Sequence, residues 1–150
     1  MPNNNVLKKP ITDKEAIKQL LPHRKPMLMV DGLVYFDGEK AVSNFTVAIS
    51  NIFVDKTHFS EPGLVEHMAQ SAALLTGYRH KIQNLPVKDG FIASIKNLKI
   101  ERLPKVNDVI ATEVKIAYGL PTMSIVHITS KTDEIDIASA EMTLVLRENE

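Results

Sequence analysis

His58-Phe59-Ser60-Glu61-Pro62-Gly63-Leu64-Val65-Glu66-His67-Met68-Ala69-Gln70-Ser71-Ala72-Ala73-Leu74-Leu75-Thr76-Gly77-Tyr78 is the stretch on which the fold turns. Ser60 is a good helix N-cap, because its hydroxyl can accept a bond from a first-turn amide. Glu61 and Pro62 then fall in the first turn, where a negative charge and a missing N–H are both tolerated. At about 100° per residue, Gly63, Glu66, Gln70, Ala73 and Gly77 share one face. Leu64, Met68, Ser71, Leu75 and Tyr78 cover the opposite side, and Val65, Ala69, Ala72 and Thr76 fill the third. No side is charged throughout, which marks a helix wrapped by other structure. Glu66 and Gln70 stack at i and i+4 on the face of smallest residues. The pattern therefore predicts a buried acid in a close-packed setting.

The helix is expected to run to about Lys81, and the chain divides around it. Residues 1–10, MPNNNVLKKP, read as a flexible or loosely docked leader. Thr12-Asp13-Lys14-Glu15 forms a capping box, and Ala16, Ile17, Leu20 and Leu21 at helical spacing predict a short helix that Pro22 stops. After the basic turn His23-Arg24-Lys25-Pro26, residues 27–36 read as a strand. Asp37-Gly38 is a hairpin signal, with residues 39–49 as the partner strand. Residues 50–60 are an irregular connection into the long helix, and residues 82–90 form a loop. Beyond it the chain is strand-like. Phe91, Ala93 and Ile95 keep one phase, whereas Leu98 and Ile100 keep the other, which predicts a bulge near Lys96–Asn97. Residues 109–118 carry Ile110, Thr112, Val114, Ile116 and Tyr118 on one face, and residues 122–131 alternate again. Residues 135–147 carry Ala138, Ala140, Met142, Leu144 and Leu146 on one face.

The order is short helix, two strands, long helix, four strands. An α+β arrangement satisfies it, with an antiparallel sheet curled round one central helix. One sheet covers such a helix incompletely, so the Glu66/Gln70 face is expected to need a partner, and a homodimer follows. At 150 residues, one domain spanning 1–150 is expected. The chain has 44% hydrophobic residues, and 18 Lys+Arg balance 18 Asp+Glu, so nothing points to general nucleic-acid or membrane attraction. No cysteine is present, which excludes disulfides and a thiolate nucleophile or metal site. The apolar runs are too short for a membrane span, and the leader lacks the apolar core of a signal peptide. A cytoplasmic protein is the expectation. No two histidines share an element at metal-ligand spacing, so no metal is expected.

Three segments resemble one family. Leu21-Pro22-His23-Arg24-Lys25-Pro26-Met27-Leu28-Met29-Val30-Asp31-Gly32 is similar to the opening signature of hotdog-fold 3-hydroxyacyl-acyl-carrier-protein dehydratases. His58-Phe59, Pro62-Gly63 and Glu66-His67-Met68-Ala69-Gln70 resemble their catalytic loop and central helix. Leu98-Lys99-Ile100 running to Pro104-Lys105-Val106-Asn107-Asp108 is similar to a later strand and turn. The matches fall in the family's order and reach from residue 21 to about residue 110. Only seven residues separate His58 from Glu66, a shorter turn than the family's HFPGxPxxPG. That shortening resembles the dehydratase-like proteins of aryl-polyene and flexirubin-type pigment clusters.

The resemblance implies removal of water from a 3-hydroxyacyl thioester to give a trans-2-enoyl thioester. A base must take the proton beside the thioester carbonyl, an acid must protonate the departing hydroxyl, and donors must stabilise the enolate. His58 matches the family's base, and a histidine titrates near roughly pH 6.5. Glu66 matches the acid, which burial would keep protonated. In the family these two come from opposite subunits of a dimer. Gln70 matches an orienting glutamine, and His23 a histidine beside the site. The amides of Gly63 and Leu64, at a helix N-terminus, are the expected oxyanion donors, and Gly63 also admits close approach. The substrate would ride on the phosphopantetheine of an acidic acyl carrier protein, with no other cofactor. A homodimer or an assembly of dimers is implied.

The same residues have structural readings. Glu66 could pair with Arg24 or Arg79, His58 could be an ordinary loop histidine, and His67 a packing or interface residue. His127 reads as a sheet residue, and His80 suits a helix C-terminus. The clusters Arg24-Lys25, Arg79-His80-Lys81 and Lys96/Lys99/Arg102/Lys105 read as solvated faces, one of which could receive a carrier. Two other functions stay open. One is a thioesterase in which Glu66 activates water, and the other a non-catalytic subunit pairing with an active dehydratase.

Overall fold

The computed structural model describes residues 4–87 and 89–147. Ser60 caps the long helix α2, Glu61–Ile82, as its position before Glu61-Pro62 requires, and its hydroxyl accepts from the Gly63 amide. Around this helix curls a six-stranded antiparallel sheet. Its strands are β1 (Gly32–Phe36), β2 (Lys40–Thr46), β5 (Gly90–Ile100), β6 (Val109–Gly119), β7 (Met123–Thr132) and β8 (Ile135–Leu146). Their order in the sheet is β1-β2-β6-β7-β8-β5. A two-residue ladder, β3 (Val54–Asp55) with β4 (His58–Phe59), sits in the connection before the helix.

Most of the alternation expected from the sequence is realised. Asp37-Gly38 turns the β1–β2 hairpin, with Gly38 at φ +96° and the Asp37 carboxylate accepting from the Glu39 and Lys40 amides. Ile110, Thr112 and Val114 of β6 face inward, as do Val126, Ile128 and Ser130 of β7 and Ala138, Ala140, Met142 and Leu144 of β8. They meet Leu64, Met68, Leu75 and other buried residues of α2 in one core. The bulge of β5 falls between Lys96 and Lys99, with Asn97 at φ +56°.

Three expectations on the N-terminal side are corrected. Helix α1 is only Lys14–Lys18 and starts one residue later than the capping box suggests, because the Asp13 carboxylate, not Thr12, takes the Ala16 amide. Its end is closed by the Arg24 guanidinium, which donates to the carbonyls of Lys18, Leu21 and His23. The leader is not a loose tail over its described part. Val6 N donates to Phe36 O, Ile11 and Leu33 exchange both backbone bonds, and the Asn5 side chain accepts from Phe36 N. An unpaired sheet edge needs such partners. Residues 1–3 lie outside the described residues. Lastly, residues 27–31 are not strand. The Met27 carbonyl and both backbone groups of Met29 are taken by side chains of α2, the Met27 and Leu28 amides turn back to the Arg24 carbonyl, and only from Asp31, whose amide bonds the Asn44 carbonyl, does pairing with β2 begin.

That substitution of partners also covers the helix face expected to be open. Gly63, Gln70 and Gly77 are buried by this chain itself, and only Glu66 and Ala73 of that face are partly exposed. A methyl group on Gly77 would overlap the Leu20 carbonyl oxygen. Gly77→Ala is therefore expected to lose about 1–2 kcal/mol of stability, even though alanine is about 1 kcal/mol the better helix former. Chemical denaturation checks this, and an unchanged or raised midpoint would contradict the packing.

Candidate active site

The site begins with an amide that has one place to go. Gln70, one turn after Glu66, is buried. Its Nε2 donates to the Met27 carbonyl at 2.7 Å and to Glu66 Oε1 at 2.9 Å, and its Oε1 accepts from the Met29 amide at 2.7 Å. The reversed amide would set its oxygen against a carbonyl and a carboxylate, so the orientation is determined by its partners. One oxygen of Glu66 is thereby held and the other left for chemistry. His23 Nε2 stands 3.8 Å from Glu66 Oε1. The ion pair of Glu66 with Arg24 is not formed, since Arg24 is occupied by backbone carbonyls.

Glu66 and His23 stand in the wall of a cleft of about 190 Å³. Ala69, Ala73 and Thr76 line it from the helix, and Gly90, Phe91, Ile92 and Leu144, Val145 and Leu146 from β5 and β8. It is an apolar slot with one acid and one imidazole. The acid is less buried than its helix face suggests, with 31% of its side chain exposed in the single chain.

The structure brings His23, Glu66 and Gln70 together and leaves the other expected residues elsewhere. His58, on β4, is half-buried, and its Nδ1 is 2.9 Å from Thr57 Oγ1. It lines a different and larger cavity of about 610 Å³ with Asp55, Ser60, Glu61, Pro62, Arg102 and Leu103. The amides of Gly63 and Leu64 are not free donors as expected. Gly63 N bonds the Ser60 hydroxyl at 3.4 Å, and Leu64 N bonds the Ser60 carbonyl at 3.0 Å. Gly63 is explained by packing, since a Cβ there would lie 2.6 Å from both Phe53 and Phe59.

His67 is a packing residue, one of the two readings its helix position left open, with hydrogen-bond partners that the sequence did not single out. It is fully buried, with Nδ1 2.7 Å from the Met29 carbonyl and Nε2 2.7 Å from Thr112 Oγ1, which in turn lies 2.7 Å from Ser130 Oγ. A signal was available. Thr112 and Ser130 are hydroxyls on the inward phase of otherwise apolar strands, and buried hydroxyls need a partner. Burial pushes the His67 imidazole down to about 4, against the bond to the Met29 carbonyl that would raise it. Among the described residues no group of three or more His, Asp or Glu side chains is placed to hold a metal. No helix among them is long and apolar enough to cross a membrane.

A central helix wrapped by a curled antiparallel sheet defines a hotdog-fold protein. The chain belongs to the ApeP-like dehydratase family, whose model matches residues 15–147. It is thus a lyase of the dehydratase type. It is 31% identical over 119 residues to the 3-hydroxyacyl-acyl-carrier-protein dehydratase FabZ of Roseobacter denitrificans, covering 73% of this chain and 75% of that one. To FabZ of Brucella ovis it is 26% identical over 156 residues, covering 97% and 96%. Among solved structures it is similar to the dehydratase heterocomplex ApeI:P from Xenorhabdus doucetiae. The TM-score there is 0.79 at 12% identity, covering 89% of this chain and 91% of that one. A hypothetical thioesterase with coenzyme A from Streptococcus pneumoniae matches at TM-score 0.63 and 13% identity, covering 78% and 85%. At such identities these two show the fold alone.

The depressed His67 has a consequence for stability. Between about pH 6.5 and pH 4 the unfolded chain binds a proton that the folded chain does not. The stability associated with neutral His67 is thus complete above about pH 6.5 and is lost as pH falls toward 4. The loss is about 3 kcal/mol. Denaturation measured across this range should show that slope, and His67→Asn should flatten it. Parallel pH curves for the two proteins would contradict a buried neutral imidazole.

Proposed function

We propose that this protein dehydrates a 3-hydroxyacyl thioester carried on an acyl carrier protein, giving the trans-2-enoyl thioester. The observation that carries this is Glu66, held through one oxygen by Gln70 at an apolar cleft suited to an acyl chain. Glu66 would protonate the departing hydroxyl, and a histidine would take the proton beside the thioester carbonyl. The substrate brings its own phosphopantetheine, and no other cofactor enters the reaction. The process served is fatty-acid-like or polyene biosynthesis in the cytoplasm, with neither nucleic acid nor membrane as a partner.

His58 lies in the other cavity of its own chain, so it would reach Glu66 only from a second copy. Strand β5 supports such pairing. It is an end strand of the sheet, it exposes Phe91, Ile95 and Leu98, and its Gly90–Ile92 segment lines the Glu66 cleft. A homodimer, or an assembly of such dimers, would join the two half-sites. The exposed Lys96, Lys99, Arg102 and Lys105 support a docking face for an acidic carrier, because Arg102 also lines the His58 cavity.

A second reading is favoured by that same separation of His58 from Glu66. The chain could complete its site with a different hotdog subunit, as the name of the ApeI:P heterocomplex describes for that protein. In a third possibility within one chain, His23 rather than His58 serves Glu66.

Variants distinguish these. Glu66→Gln is expected to lower the dehydration rate by about 10²–10⁴-fold. Mixing Glu66→Gln with His58→Ala should restore about a quarter of wild-type activity, because half the dimers are mixed and each has one intact site. Full activity of Glu66→Gln would overturn the proposal. Loss of activity in His23→Ala with no restoration on mixing would move the base to His23. Activity only after addition of another hotdog subunit would establish the second reading.

A further inference from the structure

His67 takes no part in the chemistry proposed above, yet it is fully buried with both ring nitrogens bonded. Each of its ring nitrogens has one partner, and the partners settle which way the bonds run. The Met29 carbonyl can only accept, so Nδ1 carries the proton and donates to it. Nε2 then has only a lone pair and accepts from the Thr112 hydroxyl, whose oxygen accepts from Ser130. Phe45 stacks on the ring, with centroids 5.6 Å apart and planes 24° apart. The imidazole is fixed in position, in rotation and in tautomer.

What it fixes is Met29. Both backbone polar groups of that residue are held by side chains of α2 three positions apart, the carbonyl by His67 and the amide by Gln70. The Met29 amide is in turn one of the three partners that orient the Gln70 amide toward Glu66. His23 belongs to the same segment, six residues earlier, and its ring is the one 3.8 Å from Glu66.

We propose that His67 is a positioning residue: by holding the Met29 carbonyl it sets the segment from His23 to Met29, and through it the Gln70 amide that orients Glu66. The chain of control runs Ser130, Thr112, His67, Met29, Gln70, Glu66. Each link is a hydrogen bond of 2.9 Å or less or a covalent step within one residue. This inference rests on Glu66 being the acid of the reaction, and the controls below separate the two.

The test is steady-state kinetics on a 3-hydroxyacyl carrier substrate. His67→Phe keeps a ring against Phe45 but removes both hydrogen bonds, whereas His67→Asn keeps an N–H near the position of Nδ1. His67→Phe is expected to lower kcat by about tenfold or more with KM changed less than about twofold. His67→Asn should recover to within about threefold of wild type. In a Gln70→Ala background, His67→Phe should cost less than about twofold, because the link it acts through is already cut. A purely structural role predicts a lower melting temperature with wild-type kcat in folded protein, and that result overturns the proposal. So does a full multiplication of the His67→Phe and Gln70→Ala effects. Should His67→Phe fail to fold, Thr112→Val removes the hydroxyl that bonds Nε2, with Thr112→Ser as its rescue. The same fall and recovery in kcat are expected, and wild-type kcat in Thr112→Val overturns the proposal. An active Glu66→Gln overturns the function itself. An inactive Glu66→Gln beside a fully active His67→Phe overturns only the positioning role.

Discussion

The clamp of Gln70 on the backbone of Met27 and Met29 is the constraint on which the rest of the molecule depends. A helix this apolar has to be wrapped, and the sheet wraps it from one side. On the other side the chain does not add a strand. It lays down a strap, residues 22–31, whose backbone groups would be costly to bury without partners. Gln70 and His67 supply those partners from the helix itself. Helix, strap and sheet are then one bonded unit, because His67 reaches Thr112 on β6 and Ser71 reaches Ser43 on β2. The acid sits where this network comes to the surface. Its position is a consequence of how the helix is covered.

This explains which parts could be read in the residues. The long helix was legible because its cap, its proline and its run of small and apolar residues are local signals. The β1–β2 hairpin was legible for the same reason, and the alternation of β6, β7 and β8 followed the inward phase through Val114, Ile128 and Met142. The strap was not. Met27–Asp31 has the composition of a strand, and no periodicity reveals that the Met27 carbonyl and both backbone groups of Met29 are claimed by side chains about forty positions away. The docked leader was missed on similar grounds, since a polar segment can still donate backbone bonds to an open edge. At the site, Glu66, Gln70 and His23 lie close together. The amides of Gly63 and Leu64 bond the same Ser60 that starts the helix, which no local signal separates from a free helix N-terminus.

One chain brings Glu66, Gln70 and His23 together at the mouth of an apolar slot. Glu66 has a partner on one oxygen, an imidazole close by and an apolar slot alongside, but it is still partly in water. Electrostatic effects on such a group are screened until the slot is filled or covered. The end strand β5 is the element at which covering would occur, since it exposes Phe91, Ile95 and Leu98 and Phe91 itself lines the slot. Association through that strand would hide the apolar edge and cover the slot beside Glu66 together.

The proposed reaction removes water from a carrier-bound 3-hydroxyacyl chain and leaves the thioester intact. Intact-mass spectrometry of an acyl carrier protein loaded with that chain, before and after incubation with the protein, reads this directly. The expected product is a carrier that has lost one water and kept its acyl group. A carrier of unchanged mass, or one stripped of the whole acyl group, would contradict it.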